Sequence, residues 1–503
     1  MKDLIQDILS SNIYDVVKNT PLDKLSFFSD ASGNSVYLKR EDLQDVHSFK
    51  IRGAYNKISM LSEAQKKKGI IASSAGNHAQ GVALSAKKLS LKATIVMPIT
   101  TPAIKVSSVK SYGAKVILHG DSYDEAYHFA SDYAKKNDLS FIHPYDDHHV
   151  IAGQGTIAKE ICDTLGKDQI DYVFIPVGGG GLVAGMAAYL KHINPKIKVI
   201  GVEHEHSACL NAALKNNKRV TLPYVDIFAD GVAVKQIGKL PFDILKDKVD
   251  SMQLVTTDEI CASIKDIYDN IRAIAEPAGA MSLAAIKKYT AQHGLKNKVC
   301  VGLLCGANIN FHRLRHISER AEIGENKEAL FAVNIPEQKG EFLRFCALLK
   351  GRSITEFNYR FTTSKEAHIF VGIQLDDAKK ETDHLKTTFQ QNNYAFQDLT
   401  DNDCAKLHIR YMVGGKVATL KNEKVFRFQF PERPGALLQF LEGLGSQWNI
   451  TMFHYRNHGS AFGRVLVGVD ISKETETQFF NYLDSLGYTY FDETMNKAYK
   501  LFL

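Results

Sequence analysis

The chain runs to 503 residues, 45% hydrophobic and 23% charged, with 62 Lys plus Arg against 56 Asp plus Glu for a net charge of +6. That is the composition of a globular protein of about three domains at roughly 150 residues each, and it excludes a disulfide scaffold and a disordered tail. The densest basic run, Lys66-Lys67-Lys68, stops at Gly69, so no nucleic-acid-binding stripe is expected.

Asp3 and Asp7 interrupt the N-terminus where an export signal needs a continuous apolar run. From Val36 to Leu304, apolar strand-like runs alternate with amphipathic helical ones. Strands are predicted at Ile70 to Ser73, Ala93 to Met97, Lys115 to Leu118, Val173 to Val177, Lys198 to Glu203 and Val299 to Leu304. Helices of period 3.6 are predicted at Asn77 to Leu89, Asp121 to Lys136, Gly155 to Leu165 and Asp258 to Ile274. Strands apolar throughout and separated by helices imply an α/β domain with a parallel sheet covered on both faces, its ligand at the carboxyl ends of the strands.

Beyond about Asn326 the strands shorten and alternate, and a repeat appears. Ile335-Pro336-Glu337 followed by Gly340, Leu343 and Phe345 recurs as Phe430-Pro431-Glu432 followed by Gly435, Leu438 and Phe440. Ile354-Thr355, Phe357 and Tyr359-Arg360 recur as Ile450-Thr451, Phe453 and Tyr455-Arg456. Each copy reads β-α-β-β-α-β, the split βαβ order of an antiparallel sheet with two helices on one face; the first copy has its helices at Gly340 to Leu349 and Lys379 to Asn392. Such a pair is either a small-ligand sensor or a dimerisation module. The expected domains are 1–325, 329–401 and 424–494.

Four segments carry candidate chemistry. Ser48-Phe49-Lys50-Ile51-Arg52-Gly53-Ala54 puts a lysine at the start of an apolar-faced helix, where desolvation lowers its pKa toward that of an imine-forming amine. Ser73-Ser74-Ala75-Gly76-Asn77-His78 leads from a strand into a helix and leaves main-chain N–H groups for a carboxylate. Gly178-Gly179-Gly180-Gly181-Leu182 does the same for a phosphate, its glycines letting the backbone approach the anion. It also explains why Tyr172 to Leu190 lacks charge without invoking a membrane span. Cys305, in Leu304-Cys305-Gly306-Ala307-Asn308, is a neutral partner for a cofactor ring or a buried core thiol; Glu276-Pro277-Ala278-Gly279 precedes another helix.

Other readings compete. Gly179-x-Gly181-x-x-Ala184 with Glu203 satisfies a relaxed dinucleotide fingerprint. His143, His148, His149, His204 and His206 are too loosely spaced for a metal site, and none is expected. Seven cysteines without a CxxC pair indicate a reducing compartment, so the protein is expected in the cytoplasm.

Taken in order, the Ser-Phe-Lys-x-Arg-Gly-Ala, Ser-Ala-Gly-Asn-His and tetraglycine segments resemble those of fold-type II (tryptophan synthase β-like) pyridoxal-phosphate enzymes. With the C-terminal repeat, the whole chain resembles the biosynthetic threonine deaminase (threonine ammonia-lyase) family. The resemblance implies pyridoxal 5'-phosphate (PLP) joined to Lys50 as an internal aldimine, with Phe49 beside it, Asn77 on the ring hydroxyl, Gly178 to Gly181 and Leu182 around the phosphate, and Cys305 at the ring nitrogen, where close relatives more often carry Ser. Ser74, Ala75, Gly76, Asn77 and His78 would hold the substrate carboxylate. Serine racemases of this fold place a serine at the Ala75 position as the acid on the opposite face, so little racemisation is implied. The repeats resemble ACT-like α+β regulatory subdomains that sense isoleucine and often valine, with Tyr359, Arg360, Tyr455 and Arg456 as candidate contacts. L-threonine, and L-serine as a further possibility, are the implied substrates, and a homotetramer is the implied assembly. A β-replacement enzyme such as a cysteine or cystathionine synthase is the alternative.

Overall fold

The computed structural model describes residues 2–325, 327–336, 344–345, 348–349, 354–359, 366–376, 378–411, 422–431, 448–456 and 462–502. Among them the chain forms two compact units, Met1–Phe311 and His312–Leu503.

The first unit holds two sheets where the sequence suggested one. Six strands run in the order Leu22–Lys24, Ser35–Arg40, Val299–Leu304, Tyr172–Pro176, Lys198–His204, Ser251–Val255, parallel except for the first pair. Four more, Lys115–Leu118, Ala93–Met97, Ile70–Ser73 and Ser140–Phe141, make a separate parallel sheet. Hydrophobic runs reveal strands but not their neighbours, so the insertion of Val299–Leu304 between Ser35–Arg40 and Tyr172–Pro176 was not readable. The strand Tyr172–Pro176 is fully buried beyond its first residue, as a sheet covered on both faces requires.

Helix boundaries follow local chemistry. Ser122 and Thr256 make capping boxes with Glu125 and Glu259, fixing the starts of Tyr123–Asn137 and Thr257–Ile271. The helix predicted from Gly155 instead begins at His148, capped by the Asp147 carboxylate. Gly153 is a contact residue here, not a break: a Cβ there would lie 2.6 Å from the Arg52 carbonyl oxygen.

In the second unit each repeat forms a four-stranded sheet of the same order. The first is Ile354–Tyr359, Glu366–Gln374, Glu328–Pro336, Phe396–Asp398; the second is Asn449–Arg456, Phe462–Asp470, Glu423–Pro431, Thr489–Asp492. Every pairing is antiparallel. Leu330, Ala332 and Phe370 of the first copy share one buried cluster with Val425 and Leu466 of the second, so the copies have a joint core. The helix Arg313–Gly324 falls in this unit, with Arg320 bonded to Asp403, so the division lies earlier than the expected residue 325. The first predicted regulatory helix, Gly340 to Leu349, lies largely outside the described residues. No helix among the described residues is long and apolar enough to cross a membrane.

Candidate active site

Three parallel strands, Ile70–Ser73, Tyr172–Pro176 and Val299–Leu304, deliver the predicted segments at their carboxyl ends. The Lys50 segment is tied to the last of them. Ser48 bridges Gly306, the Phe49 N–H donates to the Cys305 carbonyl at 3.2 Å, and the Ala307 N–H donates to the His47 carbonyl at 2.9 Å. The helix Lys50–Ser59 then starts without a side-chain cap. Against it lies the helix Asn77–Lys88, approaching so closely at Gly81 that a Cβ there would sit 3.2 Å from the Ile51 nitrogen.

Lys50 is half-buried, its Nζ donating to the Pro144 carbonyl at 3.2 Å and lying 5.3 Å from the Phe49 ring centroid. Burial pushes its ammonium down to about 8, with the Glu276 carboxylate pulling the other way. Near neutrality a useful fraction of this amine is therefore unprotonated, as a nucleophile or base requires. Cys305 is buried and its thiol, donating to the Ala278 carbonyl at 3.4 Å, is pushed well above its ordinary pKa by burial and then by Glu276. It stays neutral.

The tetraglycine turn packs on the residue after Pro144. A Cβ on Gly179 would lie 2.3 Å from the Tyr145 ring, and one on Gly181 2.9 Å from the Tyr145 Cα. Gly180 has φ +93°, the left-handed region that a side chain disfavours, and caps the helix Gly181–Ile193 with no side-chain bond. Leu182 is buried in that helix's first turn. The Gly179 carbonyl is fixed by the Gly238 N–H at 3.0 Å, while Asp146 accepts the Lys239 and Leu240 N–H groups, each at 2.9 Å.

The helix start at Gly76 also has no side-chain cap, and Ser74, Ala75, Gly76 and Asn77 there are half-buried. The His78 imidazole turns into the core to the Ile142 carbonyl, 2.9 Å from its Nε2. Burial and then the Lys50 charge push its pKa down to about 3, so it stays neutral. What His78 can offer an anion is its main-chain N–H. The helix starts at Gly180 and Gly76, the first lined by glycine, suit a phosphate and a carboxylate. With the amine of Lys50 nearby, that donor set fits PLP.

Residues 13–306 match the family described as pyridoxal-phosphate dependent enzyme, and residues 319–409 and 414–503 each match the C-terminal regulatory domain of threonine dehydratase. The chain is 51% identical to the biosynthetic L-threonine dehydratase of Pasteurella multocida, over 99% of this chain and 97% of that protein. The chain belongs to the biosynthetic threonine dehydratase family.

This member of the threonine dehydratase family is similar in structure to the processed form of threonine deaminase isoform 2 from Solanum lycopersicum, with TM-score 0.63 and 46% identity over 64% of this chain and 88% of that one. It is also similar to maize serine racemase, with TM-score 0.58 and 31% identity over 62% of this chain and 95% of that one. The catalytic unit of this dehydratase-family chain is thus a PLP-dependent fold.

The dinucleotide alternative loses its acidic residue. The Glu203 carboxylate accepts the Leu210 and Asn211 N–H groups at 2.7 and 2.9 Å and is committed to the helix Cys209–Asn216. Of the histidines, His148 pairs with Asp7 at 2.7 Å and His204 Nε2 lies 3.0 Å from the Thr257 hydroxyl oxygen. Sequence reasoning did not assign roles to Glu276, Asn308, Pro144 or Tyr145, which the fold brings to the Lys50 pocket. In the regulatory unit Tyr359, Tyr455 and Arg456 lie on paired strands, opposite Ile369, Val465 and Arg464, whereas Arg360 lies outside the described residues.

Gly179→Ala tests the cradle. Its Cβ collides with the Tyr145 ring, so overpacking of about 1–3 kcal/mol should lower PLP affinity by roughly tenfold or more. Titration of the cofactor-free variant with PLP, followed by cofactor fluorescence, reads this directly; unchanged affinity would remove the loop from the phosphate site.

Proposed function

We propose that the enzyme deaminates L-threonine to 2-oxobutanoate and ammonia by α,β-elimination, the first step of isoleucine biosynthesis. The observation carrying this reading is Lys50, a half-buried amine with its pKa lowered to about 8, placed beside Asn77's helix and the Pro144–Tyr145 wall of the glycine turn.

When bound, PLP supplies the electron sink that makes an amino acid's α-hydrogen acidic. Lys50, Phe49, Asn77, Gly178, Gly179, Gly180, Gly181, Leu182 and Cys305 are the residues assigned to hold it. The main-chain N–H groups of residues 74 to 78 would orient the substrate carboxylate. Lys50 Nζ takes the α-hydrogen as a proton. The β-hydroxyl leaves as water, taking up a proton equivalent to the one Lys50 removed from the α-carbon, and hydrolysis of the unsaturated amine yields the oxo acid and ammonia. The uncharged Cys305 sulfur provides no ionic partner for a ring nitrogen, which favours prompt elimination. Ala75 has no proton to return on the opposite face, which disfavours racemisation.

The regulatory unit supports control by an effector. We assign isoleucine as inhibitor and valine as activator, binding near Tyr359, Arg360, Tyr455 or Arg456, in a cytoplasmic homotetramer. Inhibition requires the ligand to prefer one of two states of the enzyme. A steady-state assay with threonine, without added thiol and with and without isoleucine, tests the reading. Oxobutanoate release depressed by isoleucine is expected. Dependence of product on an added thiol would favour β-replacement, and indifference to isoleucine would remove it as effector.

A further inference from the structure

Asn77 sits in a closed ring of hydrogen bonds whose directions are fixed from one unambiguous group. The Val46 carbonyl can only accept, and it takes an N–H from Asn308 Nδ2 at 2.7 Å. The side-chain orientation of Asn308 is thereby set, and its Nδ2 also donates to Asn77 Oδ1 at 2.8 Å. Asn77 Nδ2 must then face the other way, where it donates to Glu276 Oε1 at 2.7 Å. The second carboxylate oxygen, Glu276 Oε2, accepts the Asn308 main-chain N–H at 3.1 Å and closes the ring.

The ring leaves no room for alternatives. Glu276 is 4% exposed, and a Cβ on Gly306 would lie 2.4 Å from its Oε1 and 3.2 Å from Asn77 Nδ2. An Asn amide has two nearly isosteric ends, and only its partners decide which end donates. Val46 lies just before the Lys50 helix, so the same ring references Asn77 to the segment that carries the amine.

We propose that Glu276 and Asn308 are positioning residues that lock the Asn77 amide in one orientation, so that its second Nδ2 hydrogen is kept for the cofactor's ring oxygen. This rests on the cofactor siting given above. Neither residue needs to touch the cofactor; each acts through Asn77.

The test uses full-length holoenzyme and three variants, Asn77→Ala, Glu276→Gln and Asn308→Ala. Glutamine keeps the size of Glu276 but supplies one acceptor where two are needed; alanine removes the donor to Asn77 Oδ1. The readouts are the ratio of the bound cofactor's two absorption bands, which reports the protonation of its ring oxygen, and PLP affinity. Both positioning variants are expected to shift the band ratio in the direction that Asn77→Ala shifts it and to weaken PLP binding roughly three- to tenfold. Placed in the Asn77→Ala background, neither should shift the ratio further, because residues that act through one group are non-additive. Unchanged bands in both single variants, or equal shifts with and without Asn77, would overturn the proposal. Should Glu276→Gln fail to fold, Asn308→Ala, at a half-buried position, carries the same test. A wild-type protein without cofactor bands, or an Asn77→Ala variant with wild-type bands, would instead overturn the siting itself.

Discussion

Lys50→Ala is expected to abolish threonine turnover while leaving the fold intact. The position begins a helix, where alanine is well tolerated, and among the described residues Nζ bonds to no side chain but to the Pro144 carbonyl. Loss of proton transfer alone costs about 10²–10⁴-fold, and loss of the covalent attachment adds to it. Steady-state oxobutanoate formation measures the first. Borohydride reduction followed by denaturation measures the second: coenzyme should stay on the wild-type chain and leave the variant. A variant rate within tenfold of wild type would remove Lys50 from the chemistry. Stability supplies an independent sign. In the cofactor-free protein the folded-state pKa of Lys50, about 8, lies below its unfolded value, so the folded state binds this proton less readily. Below that pH the buried ammonium opposes folding in full, and the penalty fades as pH rises toward the unfolded pKa. Cofactor-free Lys50→Ala should therefore unfold at a higher temperature than cofactor-free wild type at pH 7, with the gap narrowing above pH 8.

What could be read in the sequence is what chain connectivity enforces locally. A strand followed by four glycines and an uncapped helix is one continuous stretch, so the shape of Pro176 to Leu182 was legible. The repeat was readable for the same reason, since Pro336 and Pro431 end matching strands. The Asn77–Glu276–Asn308 ring was not, because it joins residues 199 and 231 positions apart and no periodicity encodes such a meeting. Glu203 shows the opposite failure: it lay at the spacing that a dinucleotide site demands, yet it caps the next helix. Spacing specified its place on the strand, and only the fold decided its partner.

Arg52 lay in full view in the lysine motif, and the structure gives it the largest stability effect we expect. It is fully buried and bidentate to two carboxylates, Glu41 at 2.7 and 2.8 Å and Glu160 at 2.6 and 2.9 Å. Lys39, also buried, adds a 2.6 Å bridge to Glu160, and the Tyr14 hydroxyl donates to that carboxylate at 2.9 Å. Two buried cations thus balance two buried anions, joining the N-terminal segment, the strand Ser35–Arg40 and the helices Lys50–Ser59 and His148–Leu165. Burial drives the Glu160 pKa upward, yet Arg52 and Lys39 together bring it below the ordinary value. Arg52→Met keeps the bulk but leaves two buried carboxylates to one lysine, a loss of about 3–5 kcal/mol. Urea unfolding should show it as a lower midpoint. The penalty should be largest near pH 8 and shrink toward pH 5, because a carboxylate stripped of its cation has a raised folded pKa and takes up a proton as pH falls. Adding Glu160→Gln should restore part of the loss, since the orphaned charge is then gone. A midpoint shift worth less than about 1 kcal/mol, or one independent of pH, would mean that the cluster contributes packing and not paired charge.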